Sequence, residues 1–136
     1  MRAILNLIWF LFAGLWLALG YMVAGIICCA LIITIPFGLA AFRMARYVLW
    51  PFGRAVIRRP GAGAGSLLLN IIWFVLCGWW LAIGHVLAAI AQTLTIVGVV
   101  NAVVSLKMIP VTCFPFGKQI VSRADLPLHR RPLHSI

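Results

Sequence analysis

From Ala3 to Phe42 the chain carries no charged residue, and from Pro60 to Leu106 it carries none again. These uncharged runs of 40 and 47 residues fill most of a 136-residue chain. A membrane-spanning helix needs roughly 20 consecutive apolar residues, so each run holds about two spans' worth. The first also far exceeds the roughly 7–15-residue apolar core of a secretory signal, and it is expected to stay in the mature protein. Hydrophobic residues make up 65% of the chain, charged ones 9%, and the mean hydropathy is +1.18. A soluble domain is about a quarter charged. This composition excludes an ordinary soluble enzyme and a disordered basic protein. Four Cys in so oily a chain do not make a disulfide framework either. An integral membrane protein remains.

The chain is a duplication. Residues 5–57 align with 69–121 at a constant offset of 64, without gaps and with 17 identities in 53 positions. Leu5-Asn6-Leu7-Ile8-Trp9-Phe10 returns as Leu69-Asn70-Ile71-Ile72-Trp73-Phe74, and Trp50-Pro51-Phe52-Gly53-Arg54 returns as Phe114-Pro115-Phe116-Gly117-Lys118. Two unrelated oily segments would not keep Asn, Trp, Gly and Pro in register. The organisation expected is membrane repeat 1 over 3–57, a flexible linker over 58–66, membrane repeat 2 over 67–121 and a basic tail over 122–136. The tail has no apolar period and is expected to be poorly ordered.

The runs LNLIWFLFAGLWLALGY, LNIIWFVLCGWWLAIGH, TIPFG, WPFGR and FPFGK resemble the YccF family of small bacterial inner-membrane proteins. Its repeat unit is called the inner membrane component domain. The resemblance covers about residues 3–121 and implies a location in the bacterial inner (cytoplasmic) membrane. It implies no activity that can be carried onto residues. The second repeat departs from the first where Ile35-Pro36-Phe37-Gly38 becomes Val99-Val100-Asn101-Ala102.

The fold class expected is all-α integral membrane: two tandem repeats, each a transmembrane helical hairpin plus a short interfacial segment ending at Pro-Phe-Gly. Two arrangements compete. In one, helices near 3–20 and 22–42, then 67–84 and 86–107, turn at Gly20-Tyr21 and Gly84-His85. In the other, each repeat is one long helix to about residue 35 or 99. The four-span arrangement places all 11 basic residues on one side, while the two-span one splits them. Lys and Arg in short loops favour the cytoplasm, so four spans with both termini cytoplasmic are preferred. The turns are the weak point, since Gly-Tyr carries little turn chemistry.

Catalytic, cofactor-binding and metal residues are all expected to be absent. Asp125 is the only carboxylate side chain, so no acid–base pair exists. No Cys or His set has zinc spacing, and His129 with His134 lacks a third ligand. Polar residues inside the oil are costly unless they meet partners or water. Asn6, Asn70, His85, Gln92 and Asn101 are therefore the candidates to line a path, and Arg43, Arg46 and Lys107 are the candidates for a basic rim. Their ordinary alternatives are helix–helix hydrogen bonds and snorkelling to headgroups. Gly14-x-x-x-Ala18 and Gly78-x-x-x-Ala82 allow close helix approach. The partners expected are a bilayer with anionic headgroups and further copies in a homo-oligomer, not nucleic acid, because the positive charge flanks apolar runs. Two functions follow: a pore or transporter, with an anion path favoured over a cation path, or a structural or accessory membrane protein without transport. An intramembrane enzyme is the weakest reading.

Overall fold

The computed structural model describes residues 1–96, 98–126 and 130–136. Its first element, α1, is one helix of 29 residues, Arg2–Ala30. At 1.5 Å per residue it is about 43 Å long, more than the roughly 30 Å of a hydrocarbon core. A tight apolar turn follows, and α2 (Ile35–Leu49) returns along α1. Pro36 stands in the first turn of α2, where its missing N–H leaves no helix bond unmade. Strand β1 (Arg54–Arg58) ends the repeat. Repeat two copies this order with α3 (Ala64–Thr93), α4 (Gly98–Cys113) and β2 (Lys118–Ser122). A last strand, β3, is His134–Ser135.

The helical hairpin is therefore present in each repeat, but its turn is not at Gly20-Tyr21 or Gly84-His85. The helices run straight through those pairs, and the reversals come after Ala30 and after Thr93. The reason is packing. Gly20 and Gly84 sit where α1 crosses α3. The side chain of Leu81 comes within 3.6 Å of where a Cβ on Gly20 would stand, and Leu17 within 3.5 Å of the same point on Gly84. Tyr21 and His85 are fully buried beside them. Away from this crossing, Cys28 of α1 meets Cys77 of α3 with sulfurs 3.9 Å apart. The C-terminal half of α1 thus lies against the N-terminal half of α3.

Small residues bring each long helix onto its own return helix. A Cβ on Gly14 would stand 2.7 Å from the Trp9 indole nitrogen and 3.1 Å from the Val48 carbonyl, and one on Gly25 would strike the Phe42 ring. In both repeats a π-helical turn, Phe10–Gly14 or Phe74–Gly78, follows the buried Trp directly. Such single π turns recur where a helix must re-aim its side chains.

β1 pairs antiparallel with β2, from Arg54↔Ser122 to Arg58↔Lys118, and β3 adds to the other edge of β1 through Val56↔His134. The residues after Pro-Phe-Gly had been expected to be interfacial chain, linker and loose tail. Instead Ala55, Val56 and Ile57 are buried, and the last residues close the sheet, with the Leu133 N–H donating to the Val56 carbonyl at 2.7 Å. The nominal linker is also partly tied down. Arg59 N–H donates to the Gly117 carbonyl at 2.8 Å, and α3 already begins at Ala64.

Sulfurs 3.9 Å apart need only a small rotation to reach the roughly 2.05 Å of a disulfide. Copper–phenanthroline oxidation should join Cys28 to Cys77. After tryptic cleavage at Arg58-Arg59, the two halves should then migrate together on a non-reducing gel. Cys77→Ser should separate them. Halves that part in the parent chain would show that α1 and α3 do not cross here.

Candidate functional site

The polar residues inside the helices fall into two groups. Those of the first group are matched to a partner in both repeats. Asn6 Nδ2 donates to the Phe52 carbonyl at 3.2 Å and its Oδ1 accepts from the Phe52 N–H at 3.0 Å. Asn70 does the same with Phe116, at 3.0 and 2.8 Å. One amide side chain thus replaces both hydrogen bonds the backbone loses at Pro-Phe-Gly. Trp9 Nε1 donates to the Val48 carbonyl at 2.6 Å, and Trp73 Nε1 to the Thr112 carbonyl at 2.8 Å. These carbonyls lie in the last turns of the return helices, where no partner within the helix remains. His85 meets Tyr21, its own counterpart at the offset of 64, with Nε2 and the phenol oxygen 3.1 Å apart. The same hydroxyl lies 2.6 Å from Thr112 Oγ1. Of the five candidate path residues, Asn6, Asn70 and His85 therefore face packed protein, with His85 Nδ1 left without a partner among the described residues.

Gln92 and Asn101 form the second group. Both are buried in repeat two, and Gln92 Oε1 accepts from Ser105 at 3.3 Å. Gln92 Nε2 and Asn101 Nδ2 have no partner among the described residues. The two residues line a groove of about 420 Å³ together with Ile8 and Phe12 of α1, although their amide nitrogens are themselves buried.

The basic residues converge on the sheet. Arg43 and Arg46 share a cavity of about 490 Å³ with Arg54, Tyr47 and Gln119. Arg43 also reaches a second one of about 370 Å³ with Arg59 and Lys118. Its Nη2 donates to the Pro115 carbonyl at 3.1 Å, linking the repeats. Arg58 and Arg59 border a third cavity together with Arg130 and Arg131. Lys107 does not join Arg43 and Arg46. It lies with Arg123 beside Ile136. Arg2 stands next to Gly53. Each of the 11 basic residues is thus on the sheet, in a cavity against it or at the turn that leads into it. Arg54, Arg59 and Lys118 were not expected in the rim. The signal for them was the β-branched run after each Pro-Phe-Gly, Val56-Ile57 and Ile120-Val121, which reads as paired strands only once the repeats are set side by side. Lys118 Nζ donates to the Pro110 carbonyl at 3.1 Å, and burial, with help from Arg58, holds its pKa below the usual lysine value.

Among the described residues no group of three His, Cys, Asp or Glu could hold a metal. His134 lies 3.2 Å from the Tyr47 hydroxyl, and His129 lies outside the described residues. Burial first, then the charges of Lys118 and Lys107, lower the His134 pKa from its ordinary 6.5.

Two predictions follow from this geometry. Replacing Asn70 by Leu leaves the part-buried Phe116 N–H unpaired, which costs up to about 1–3 kcal/mol. Melting of the protein in mild detergent should shift down accordingly, and Asn6→Leu should act alike. An unchanged melt would mean that water already serves these groups. The second concerns the tail. Because the folded pKa of His134 lies below the unfolded one, the free tail takes up a proton first as pH falls. Docking of β3 is at full strength above about pH 6.5 and weakens below it. Proteolytic release of the tail should therefore speed up from about pH 7.5 to about pH 5.5, and His134→Ala should remove that pH dependence.

The model of the inner membrane component domain, YccF, matches twice, at residues 4–54 and 68–118. The inner membrane protein YccF of Escherichia coli (strain K12) is 29% identical over 131 residues, covering 90% of this chain and 88% of the relative. The Shigella flexneri protein of the same name matches equally. No solved structure matches significantly. Two domain matches that coincide with the two hairpins show that the chain belongs to the YccF family of bacterial inner-membrane proteins.

Proposed function

We propose that this protein is a non-enzymatic inner-membrane component: two hairpins inserted from the cytoplasmic face, which hold a basic three-stranded platform against anionic lipid headgroups. The observation that carries this reading is the gathering of 11 basic residues around one small sheet in a chain with a single carboxylate. Such a cluster cannot neutralise itself and attracts phosphate-bearing partners. The apolar turns of the hairpins support a membrane setting. Leu31, Ile32 and Ile33, and Leu94 and Ile96, are exposed apolar turn tips with no basic residue among them. The return helices have 15 and 16 residues, short of the roughly 20 needed to span. These turns therefore belong in hydrocarbon, each beside the sheet-leading end of the other repeat, where Phe37 packs on Phe116 and Val99 and Val100 share a cavity with Phe52. A path through a single copy has less support, because Asn6, Asn70 and His85 are already paired with protein. An anion pore would have to form between copies of a homo-oligomer.

Reporters fused near residue 62 and at the C-terminus should both read cytoplasmic. Cysteines placed at Ile33 and Ile96 should resist impermeant maleimides from either side. Dihexanoyl phosphatidylglycerol should raise the melting temperature of the purified protein more than dihexanoyl phosphatidylcholine does. Arg43→Gln with Arg54→Gln, or about 0.5 M salt, should remove most of that difference. Equal stabilisation by both lipids, with anion flux in proteoliposomes, would replace this reading with the pore.

A further inference from the structure

An approximate two-fold axis relates the repeats, and it constrains how the chain can sit in a bilayer. Tyr21 and His85, which correspond at the offset of 64, touch each other, and Gly20 faces Leu81 as Gly84 faces Leu17. In the sheet Val56 pairs with Ile120, again its own counterpart, and the outer pairs exchange, Arg54↔Ser122 with Arg58↔Lys118. Reciprocal contacts of this kind surround a two-fold axis. It runs from the crossing of α1 and α3 to the middle of the sheet. The long helices are therefore antiparallel. Ile8 and Phe12 of α1 share a groove with Ala91 and Thr95 of α3, and toward the other end of α1 Cys28 meets Cys77.

The two repeats thus leave their helices at opposite ends of α1. Asn6 bonds Phe52 at one end. At the other, Gly38 stands against Cys29, and the neighbouring Phe37 ring meets Phe116 at 5.4 Å. β1 and β2 start from these two ends and pair between them, so the sheet lies alongside the helices. Its cations are spread along the same direction. Arg2 and Arg123 lie near Phe52 and Gly53, Arg59 and Lys118 near Gly117, and Arg43 and Arg46 in the middle of α2. Were α1 upright in the bilayer, these cations would occupy every depth, including the centre, where charge is most costly. With the two-fold axis along the bilayer normal, all of them share one level. The opposite surface agrees. Ile4, Leu15 and Ile26 fall on one face of α1, Leu68, Trp79 and Ile90 are their counterparts on α3, and each is at least 36% exposed. None of the described residues lining the three basic cavities comes from α1 or α3. We infer that both hairpins lie within the cytoplasmic leaflet, with α1 and α3 parallel to the membrane plane, their exposed stripes among acyl chains and the sheet at the headgroups. This placement rests on the platform reading and adds a helix direction to it. Lipid is the occupant because the stripes run along two helices of 29 and 30 residues and lie opposite a cationic face, as in helices that rest in an interface.

The test uses the unmodified full chain in oriented bilayers of phosphatidylcholine with phosphatidylglycerol, read by polarised infrared spectroscopy. Helices in the membrane plane give the helical amide I band a negative order parameter, and that sign is expected. Spanning helices tilt on average about 20° from the normal and give a positive one, which would overturn the placement. Nitroxides at Ile4→Cys, Leu15→Cys and Ile26→Cys, in a chain with Cys28, Cys29, Cys77 and Cys113 replaced by Ser, then locate the stripe by their collisions with oxygen and with a nickel chelate. The three should report depths within about 5 Å of one another, with oxygen the more frequent collider. An upright helix would separate Ile4 from Ile26 by about 33 Å along the normal and make Leu15 the deepest, which would overturn the placement. Labels shielded from both colliders would show a second copy on the stripe and overturn it as well. If the Cys-free chain does not fold, the infrared sign in the parent decides alone. Upright helices in a protein that still prefers phosphatidylglycerol sink only this placement. In-plane helices without that preference support the placement and sink only the platform.

Discussion

Backbone carbonyls at the end of a helix have no intrahelical partner, and in hydrocarbon no water replaces it. This chain ends two helices inside or beside the membrane, at Leu49 and at Cys113, and it meets that constraint with two indoles. Trp9 and Trp73 reach from the long helices to the carbonyls of Val48 and Thr112. A few residues on, Asn6 and Asn70 bond both backbone groups of Phe52 and Phe116. The rest of each repeat is arranged around these bonds. The indole needs room, so Gly14 and Gly78 stand against it. The π turn that separates Trp from Gly shifts the helix at that point. The chain then leaves each return helix at a defined place, which fixes where β1 and β2 can pair.

What the two repeats share is accordingly backbone satisfaction, and what they do not share is more revealing. Tyr21 and His85 occupy the same position, yet they are complementary in hydrogen bonding and meet each other, with Thr112 as a third member. The third member has no equivalent in repeat one, because Thr112 has Val48 as its counterpart. Divergence here binds the repeats into one unit. At Phe37 and Asn101 divergence goes the other way. One copy packs an aromatic cluster, and the other keeps an opening.

Much of this was legible in the residues. The uncharged runs mark the membrane segments, and the constant offset of 64 marks the repeat. Asn, Trp and Gly in register point to close packing. The turn positions were not legible, because Leu31-Ile32-Ile33 contains none of the residues that mark turns in water and Leu94-Thr95-Ile96 only Thr95, whose hydroxyl accepts from the Gly98 N–H. Ile32 even takes a left-handed backbone with φ 54°, a conformation that β-branched residues rarely adopt. Turn rules rest on solvation, and an apolar tip follows a different rule. The sheet was missed for another reason. Five-residue strands are weak signals alone, and β1 acquires its partners from Lys118–Ser122 and from the tail. That information lies far along the chain from β1.

The charge distribution completes the physical picture. A hairpin enters a bilayer from the side that keeps its charges, and here every Lys and Arg is tied to the sheet end by connectivity. β1 follows α2 after four residues, and β2 follows α4 after four more. Arg43 on α2 then crosses to the Pro115 carbonyl of the other repeat, so the charged end also joins the two halves. Anions bound there would screen the repulsion among Arg43, Arg54, Arg59 and Lys118.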